Sequence, residues 1–129
     1  MDIQLEQALV HVVDDDEAVR SSLRLLGEAR GWQIKTYASA HDYLAEPPSP
    51  QGRLECLVLD LQLPGMNGTQ LLEMLRASDR QPATIVLTAW PDSELARRAL
   101  AAGASQIIPK PFVPGAWLRA VEESLSPAN

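Results

Sequence analysis

Six residues of this chain stand where short apolar runs end, and their types together suit one piece of chemistry. Asp14, Asp15 and Asp16 follow Val10-His11-Val12-Val13, Asp60 follows Leu57-Val58-Leu59, Thr88 follows Ile85-Val86-Leu87, and Lys110 lies just beyond Ile107-Ile108. Taken singly, each has an ordinary explanation. Asp14 to Glu17 suits the acidic first turn of a helix, Asp60 a turn before Pro64, Thr88 the approach to a helix, and Lys110 a solvated surface position. Their joint position at strand ends changes the reading. Two or three carboxylates within ~5 Å of one another repel by about 3 kcal/mol per pair at an effective dielectric constant of ~20, so gathering them requires a cation. Mg²⁺ takes oxygen ligands, keeps several waters and binds one or two carboxylates beside a phosphoryl group. That fits Asp14 or Asp15 together with Asp60, with Mn²⁺ as a substitute. Lys110 supplies positive charge for one phosphoryl oxygen, the Thr88 hydroxyl a hydrogen bond for another, and the metal meets the third. The expected chemistry is stabilisation of a phosphoryl group on a carboxylate.

Alternating strands and helices must position these residues. Ala8–Val13 is a β-branched run ending in acids, as a buried parallel strand does, and Val19, Leu23, Leu26 and Ala29 then recur at helical spacing. Asp15 or Asp16 suits the N-cap of that helix and Gly31 its stop. Trp32–Tyr37 reads as a second strand, Ser39 with Asp42 opens a short helix closed by Pro47-Pro48, and Pro47–Arg53 is a loop. Leu54–Leu59 is the third strand; Pro64-Gly65 turns the chain before Asn67 caps a helix carrying Leu71, Leu72 and Leu75. Ala83–Leu87 is the fourth strand, followed by a helix capped by Asp92 and stopped at Gly103. Ser105–Ile108 is the fifth, followed by a helix from Pro114 whose Trp117, Leu118, Val121 and Leu125 share one face. Five strands alternating with five helices imply an α/β domain, a doubly wound (βα)5 unit with a parallel sheet covered on both faces. In such sheets ligands bind beyond the carboxyl ends of the strands.

Composition narrows the class. With 129 residues, 46% of them hydrophobic and 22% charged, the chain suits one globular domain over residues 1–125, with 126–129 as a tail or the start of a linker. Acidic residues outnumber basic ones 17 to 11, a net charge of −6, which disfavours direct nucleic-acid binding and anionic membranes. Cys56 is the single cysteine, so neither an internal disulfide nor a cysteine zinc site is expected. The apolar runs are too short to span a bilayer and Met1-Asp2-Ile3-Gln4 is no signal sequence, so a cytoplasmic location is expected.

Four segments, in order, resemble the receiver domain of two-component response regulators over residues 7 to 125: Val12–Asp16, Leu59–Gly68, Ile85–Ala89, and Ala102-Gly103-Ala104 followed by Pro109-Lys110-Pro111-Phe112. The resemblance implies the flavodoxin-like strand order 2-1-3-4-5. It implies that Asp60 accepts a phosphoryl group from a phosphohistidine on a sensor histidine kinase or a phosphotransfer protein. Asp14 and Asp15 would then hold Mg²⁺ with the Gln62 backbone carbonyl, while Thr88 and Lys110 bind phosphoryl oxygens. The Lys110-Pro111 bond is expected to be cis. The segments are most similar to receivers that precede a LuxR-type helix-turn-helix, so control of transcription through an output domain is implied, as is a homodimer through the fourth helix, fifth strand and fifth helix. One departure concerns output: the family usually places an aromatic switch residue where this chain has Ile107, and a β-branched aliphatic cannot rotate a ring. Trp90, two residues after Thr88, is then the large side chain available near the site, either shielding the acyl phosphate or packing on the fourth helix.

Other functions compete. An Asp nucleophile after a buried strand also describes haloacid-dehalogenase-like phosphatases, but these want a second aspartate where Gln62 stands, so an enzyme turning over outside phosphoesters is disfavoured. A flavodoxin-like cofactor binder would set its phosphate against Asp14, Asp15 and Asp16. A degenerate receiver serving only for docking is the remaining alternative, weakened by the presence of all five characteristic residues: Asp14, Asp15, Asp60, Thr88 and Lys110.

Overall fold

The computed structural model describes residues 8–49 and 53–125. The expected tail at Ser126–Asn129 and the loop residues Pro50, Gln51 and Gly52 lie outside the described residues. In chain order the elements are β1 (Leu9–Val13), α1 (Glu17–Ala29), β2 (Gln33–Tyr37), α2 (Ala40–Leu44), β3 (Glu55–Asp60), α3 (Gly68–Ala77), β4 (Ala83–Thr88), α4 (Glu94–Ala101), β5 (Gln106–Pro109) and α5 (Pro114–Leu125). All pairings are parallel, in the order β2-β1-β3-β4-β5.

Side chains alternate across the sheet with period two, which divides the core. Val10, Val12, Cys56, Val58, Ile85 and Leu87 point toward α1 and α5, where they meet Leu23, Trp117, Val121 and Leu125. Val13, Leu57, Leu59 and Val86 point the other way, against Leu71, Leu72 and Leu75 of α3 and Ala96 and Ala99 of α4. Both faces being covered, β1 and β3 need apolar side chains at nearly every position, which is why their sequences do not alternate. Trp117 is fully buried, edge-on to Trp32 with ring centroids 6.0 Å apart. Truncating such a side chain to alanine costs about 3–5 kcal/mol.

One polar side chain interrupts the apolar β1. His11 is buried, with Nε2 2.6 Å from Glu55 Oε2 and Nδ1 2.9 Å from the Tyr37 hydroxyl. Burial lowers its pKa, favouring the neutral ring that donates from Nε2 to the carboxylate and accepts the Tyr37 O–H at Nδ1.

Caps follow the sequence except at α4. There Ser93, rather than Asp92, is the N-cap: its hydroxyl accepts the Ala96 N–H at 3.1 Å, while the Asp92 carbonyl accepts from the Arg97 guanidinium. Both residue types cap well, and the following turn decides between them. Gly103 ends α4 at φ +105°, a conformation that favours glycine.

Candidate functional site

The register of β1 against β3 pairs Val13 with Leu59, so Asp14 and Asp60 emerge side by side at the carboxyl edge of the sheet. Asp14 is fully buried. Its N–H donates to the Tyr37 carbonyl at 3.1 Å, while its carboxylate accepts the Asp16 N–H at 2.9 Å through Oδ1 and Lys110 Nζ at 3.0 Å through Oδ2. Asp60 is also buried, with Oδ1 accepting the Gln62 N–H at 3.0 Å and Oδ2 lying 3.4 Å from Lys110 Nζ. One ammonium thus bridges two buried carboxylates contributed by different strands. Lys110 is aimed by its backbone, whose N–H donates to the Thr88 carbonyl at 2.8 Å, and the Lys110–Pro111 bond is cis.

Asp15 is exposed, yet an oxygen of its carboxylate comes within 4.8 Å of oxygens of Asp14 and Asp60. Asp16 is set apart from this group. Its carboxylate accepts the Ala18 N–H at 2.9 Å and caps α1. Of the three consecutive acids, one shapes the helix and two face the cleft. Three carboxylates with one solvent-facing edge and a single lysine leave negative charge in excess, a donor set that suits a hard divalent cation with open positions for water and phosphoryl oxygen.

Burial raises the Asp14 pKa, partly opposed by the Asp16 N–H and by Lys110. For Lys110, burial alone would lower the pKa, but the hydrogen bond and charge of Asp14 and the charge of Asp60 outweigh it and the net shift is upward. The lysine therefore stays cationic, held by two carboxylates, while each carboxylate has only part of one cation.

The remaining expected residues lie on β4 and β5 and in the loops that follow β3 and β4. Thr88 is buried, and its hydroxyl oxygen accepts the Trp90 N–H at 3.0 Å. Trp90 is 60% exposed. Ile107 is half-buried and packs against the core on the α3–α4 side of the sheet. Gln62 is exposed just beyond Asp60.

Two features escaped the sequence reading. A Cβ on Gly68 would lie 2.3 Å from the Asp60 carbonyl oxygen and 2.9 Å from Leu61 Cα, so only glycine lets the start of α3 pack against the phosphoacceptor candidate's own backbone. That start is fixed by the Gly68 N–H to the Leu61 carbonyl and by a reciprocal capping box between Asn67 and Gln70, a spacing legible in Asn67-x-x-Gln70. The second is Arg20, whose guanidinium donates to the Asp14 carbonyl at 2.7 Å.

The family described as response regulator receiver domain matches residues 10–122. The chain belongs to this family. As a receiver domain it is 40% identical over 121 residues to the transcriptional regulatory protein FixJ of Azorhizobium caulinodans, covering 93% of this chain and 56% of that protein. It is 43% identical over 105 residues to the C4-dicarboxylate transport transcriptional regulatory protein DctR of Rhodobacter capsulatus, covering 80% and 52%. The receiver domain also superposes on the crystal structure of FixJ-N with TM-score 0.80 at 36% identity, covering 92% of this chain and 93% of that one. The chain spans about half the length of the curated relatives it matches. Among the described residues no helix is long and apolar enough to cross a membrane.

Proposed function

We propose that this receiver accepts a phosphoryl group on Asp60 and acts as a phosphorylation switch in two-component signal transduction. The observation that carries the proposal is the bridging of buried Asp14 and Asp60 by Lys110, with Asp15 completing the acidic cluster. In the reaction a carboxylate oxygen of Asp60 bonds to phosphorus as the phosphorus–nitrogen bond of a donor phosphohistidine breaks, and the imidazole leaves with the electron pair. Asp14, Asp15, Asp60 and the Gln62 carbonyl would hold Mg²⁺, or Mn²⁺ in its place, and the ion supplies charge neutralisation for the phosphoryl oxygens. Lys110 would then exchange part of its carboxylate contact for a phosphoryl oxygen, and the Thr88 hydroxyl would donate to another.

The donor is a sensor histidine kinase or a phosphotransfer protein. Supporting this, an open groove of about 540 Å³ runs between α1 and the loop after β5, lined by Val19, Leu23, Leu26 and Phe112, with Asp16 and Lys110 at its rim. An apolar helix bearing the phosphohistidine would seat there with its reactive nitrogen beside Asp60. The domain comprises residues 1–125, works in the cytoplasm and controls transcription through an attached or partner output domain. It assists only its own phosphorylation and dephosphorylation. Self-association would use α4, β5 and α5, and at a net charge of −6 the domain itself makes no direct contact with nucleic acid.

The test is intact mass after treatment with acetyl phosphate and Mg²⁺. One added phosphate is expected in the wild type and none in Asp60→Asn or in chelator. Labelling of Asp60→Asn, or equal labelling without metal, refutes the assignment.

A further inference from the structure

We propose that Arg20 is a positioning residue for divalent-cation binding, acting on the Asp15 carboxylate through the backbone; this rests on the site reading above. Arg20 lies on the first turns of α1, half-buried, and its Nη1 donates to the carbonyl oxygen of Asp14 at 2.7 Å. Its backbone N–H donates to the Asp16 carbonyl at 3.1 Å. One residue therefore holds the turn on both sides of Asp15.

The carbonyl of Asp14 and the N–H of Asp15 belong to one planar peptide unit. That unit is flanked by fixed points: Asp14 is tied at its N–H to Tyr37 and at its carboxylate to Asp16 and Lys110, while the Asp16 carboxylate caps α1. Holding the Asp14 carbonyl fixes the rotation of the peptide between them, and hence the direction in which Asp15 leaves the backbone. Among the described residues no hydrogen bond or ion pair holds the Asp15 side chain, and its exposure leaves the backbone to aim it into the cleft. Without the guanidinium, a carbonyl of a fully buried residue loses its donor, and rotation of the peptide toward solvent becomes the way to satisfy it.

Electrostatics alone predicts the opposite result. Arg20 is a cation beside a cation-binding cleft, so removing its charge should tighten metal binding. Positioning predicts weakening, and the sign of the change separates the two.

A matched control exists on the same helix. Arg24, one turn further on, makes the same kind of bonds to β2, donating to the Ile34 carbonyl at 3.3 Å and the Thr36 hydroxyl at 3.0 Å. It is remote from the carboxylates in sequence register and takes no part in the site.

The experiment is calorimetric titration of the full chain with Mg²⁺, with metal-free thermal melts to verify folding. Arg20→Met is expected to weaken Mg²⁺ binding by about tenfold, the lower end of the range for groups that orient metal ligands, and Arg20→Lys to stay within about threefold of wild type. Arg24→Met should lower the melting temperature with Mg²⁺ affinity unchanged. If Arg20→Met does not fold, Arg20→Gln, too short to reach the carbonyl, takes its place with the same expectation. Unchanged or tighter Mg²⁺ binding in the folded Arg20 variant overturns the proposal, as does equal weakening in Arg24→Met. Asp15→Ala, measured alongside, separates the levels: if it too leaves Mg²⁺ affinity intact, the assignment of Asp15 to the metal site has failed and Arg20 has nothing there to position.

Discussion

Replacing Asp15 with alanine should move stability and metal binding in opposite directions. The Asp15 carboxylate lies within 4.8 Å of those of Asp14 and Asp60. At that separation a pair of like charges repels by about 3.5 kcal/mol at an effective dielectric constant of ~20, and by about 0.9 kcal/mol at the value of water. Asp15 is exposed, so the lower figure applies, and two neighbours give roughly 1.7 kcal/mol before screening. At physiological ionic strength, with a Debye length of about 8 Å, about 1 kcal/mol remains. Metal-free Asp15→Ala should therefore melt about 4 °C above metal-free wild type. Mg²⁺ at a hundred times its dissociation constant stabilises the wild type by about 2.7 kcal/mol, and a variant binding tenfold more weakly gains only about 1.4 kcal/mol at the same concentration. Thermal melts with and without Mg²⁺ read both effects. The reasoning is refuted if metal-free Asp15→Ala melts several degrees below wild type, since Asp15 then has a structural role, or if the Mg²⁺-induced shift is undiminished.

Gly68→Ala should destabilise by about 1–3 kcal/mol and slow phosphorylation by acetyl phosphate, because its Cβ would meet the Asp60 backbone at 2.3 Å; a wild-type melt and rate would contradict the tight approach. His11 has a folded pKa below 6.5, so its contribution is present above pH 6.5 and is lost as the pH falls from there to the folded value. Chemical denaturation between pH 7 and 5 should accordingly show a shallower loss in His11→Gln than in wild type, and superimposable slopes would exclude it. Asp14 has the opposite sign: its folded pKa lies above 3.8, so Asp14 destabilises the metal-free fold when ionised, and stability returns as the pH falls through the folded value. Asp14→Asn should abolish that gain in a denaturation series carried down to pH 3.8. Phosphorylation offers the Thr88 hydroxyl a new acceptor and should disturb the Trp90 N–H bond to it, so beryllofluoride should alter Trp90 emission in a protein carrying Trp32→Phe and Trp117→Phe. A flat signal, with backbone amides of Leu95, Ile107 and Trp117 shifting strongly, would place the output route elsewhere.

Element types and order were readable because local physics sets them. The β-branched runs Val10–Val13 and Ile85–Leu87, the helical recurrence of Leu71, Leu72 and Leu75, and the stops at Gly31 and Gly103 act over a few residues, and the structure bears out each. The placement of the candidate site was legible for the same reason: in a parallel sheet every strand runs out at the same edge, so Asp14, Asp60 and Thr88 reach one edge of the sheet. Sequence spacing alone could not choose between Ser93 and Asp92 as the cap of α4, because both are good caps and the choice depends on where the following helical turn begins. Nor could it separate Asp16, which caps α1, from Asp14 and Asp15, which face the cleft; three adjacent carboxylates look alike until the turn is drawn. Only the tertiary structure decided that Lys110, 96 residues from Asp14, bridges it to Asp60, that Gly68 packs on the Asp60 carbonyl, and that Arg20 holds the Asp14 carbonyl. Each depends on a distance between elements, and such distances are set by how α1, α3 and the β5 edge pack on the sheet, which no local pattern encodes.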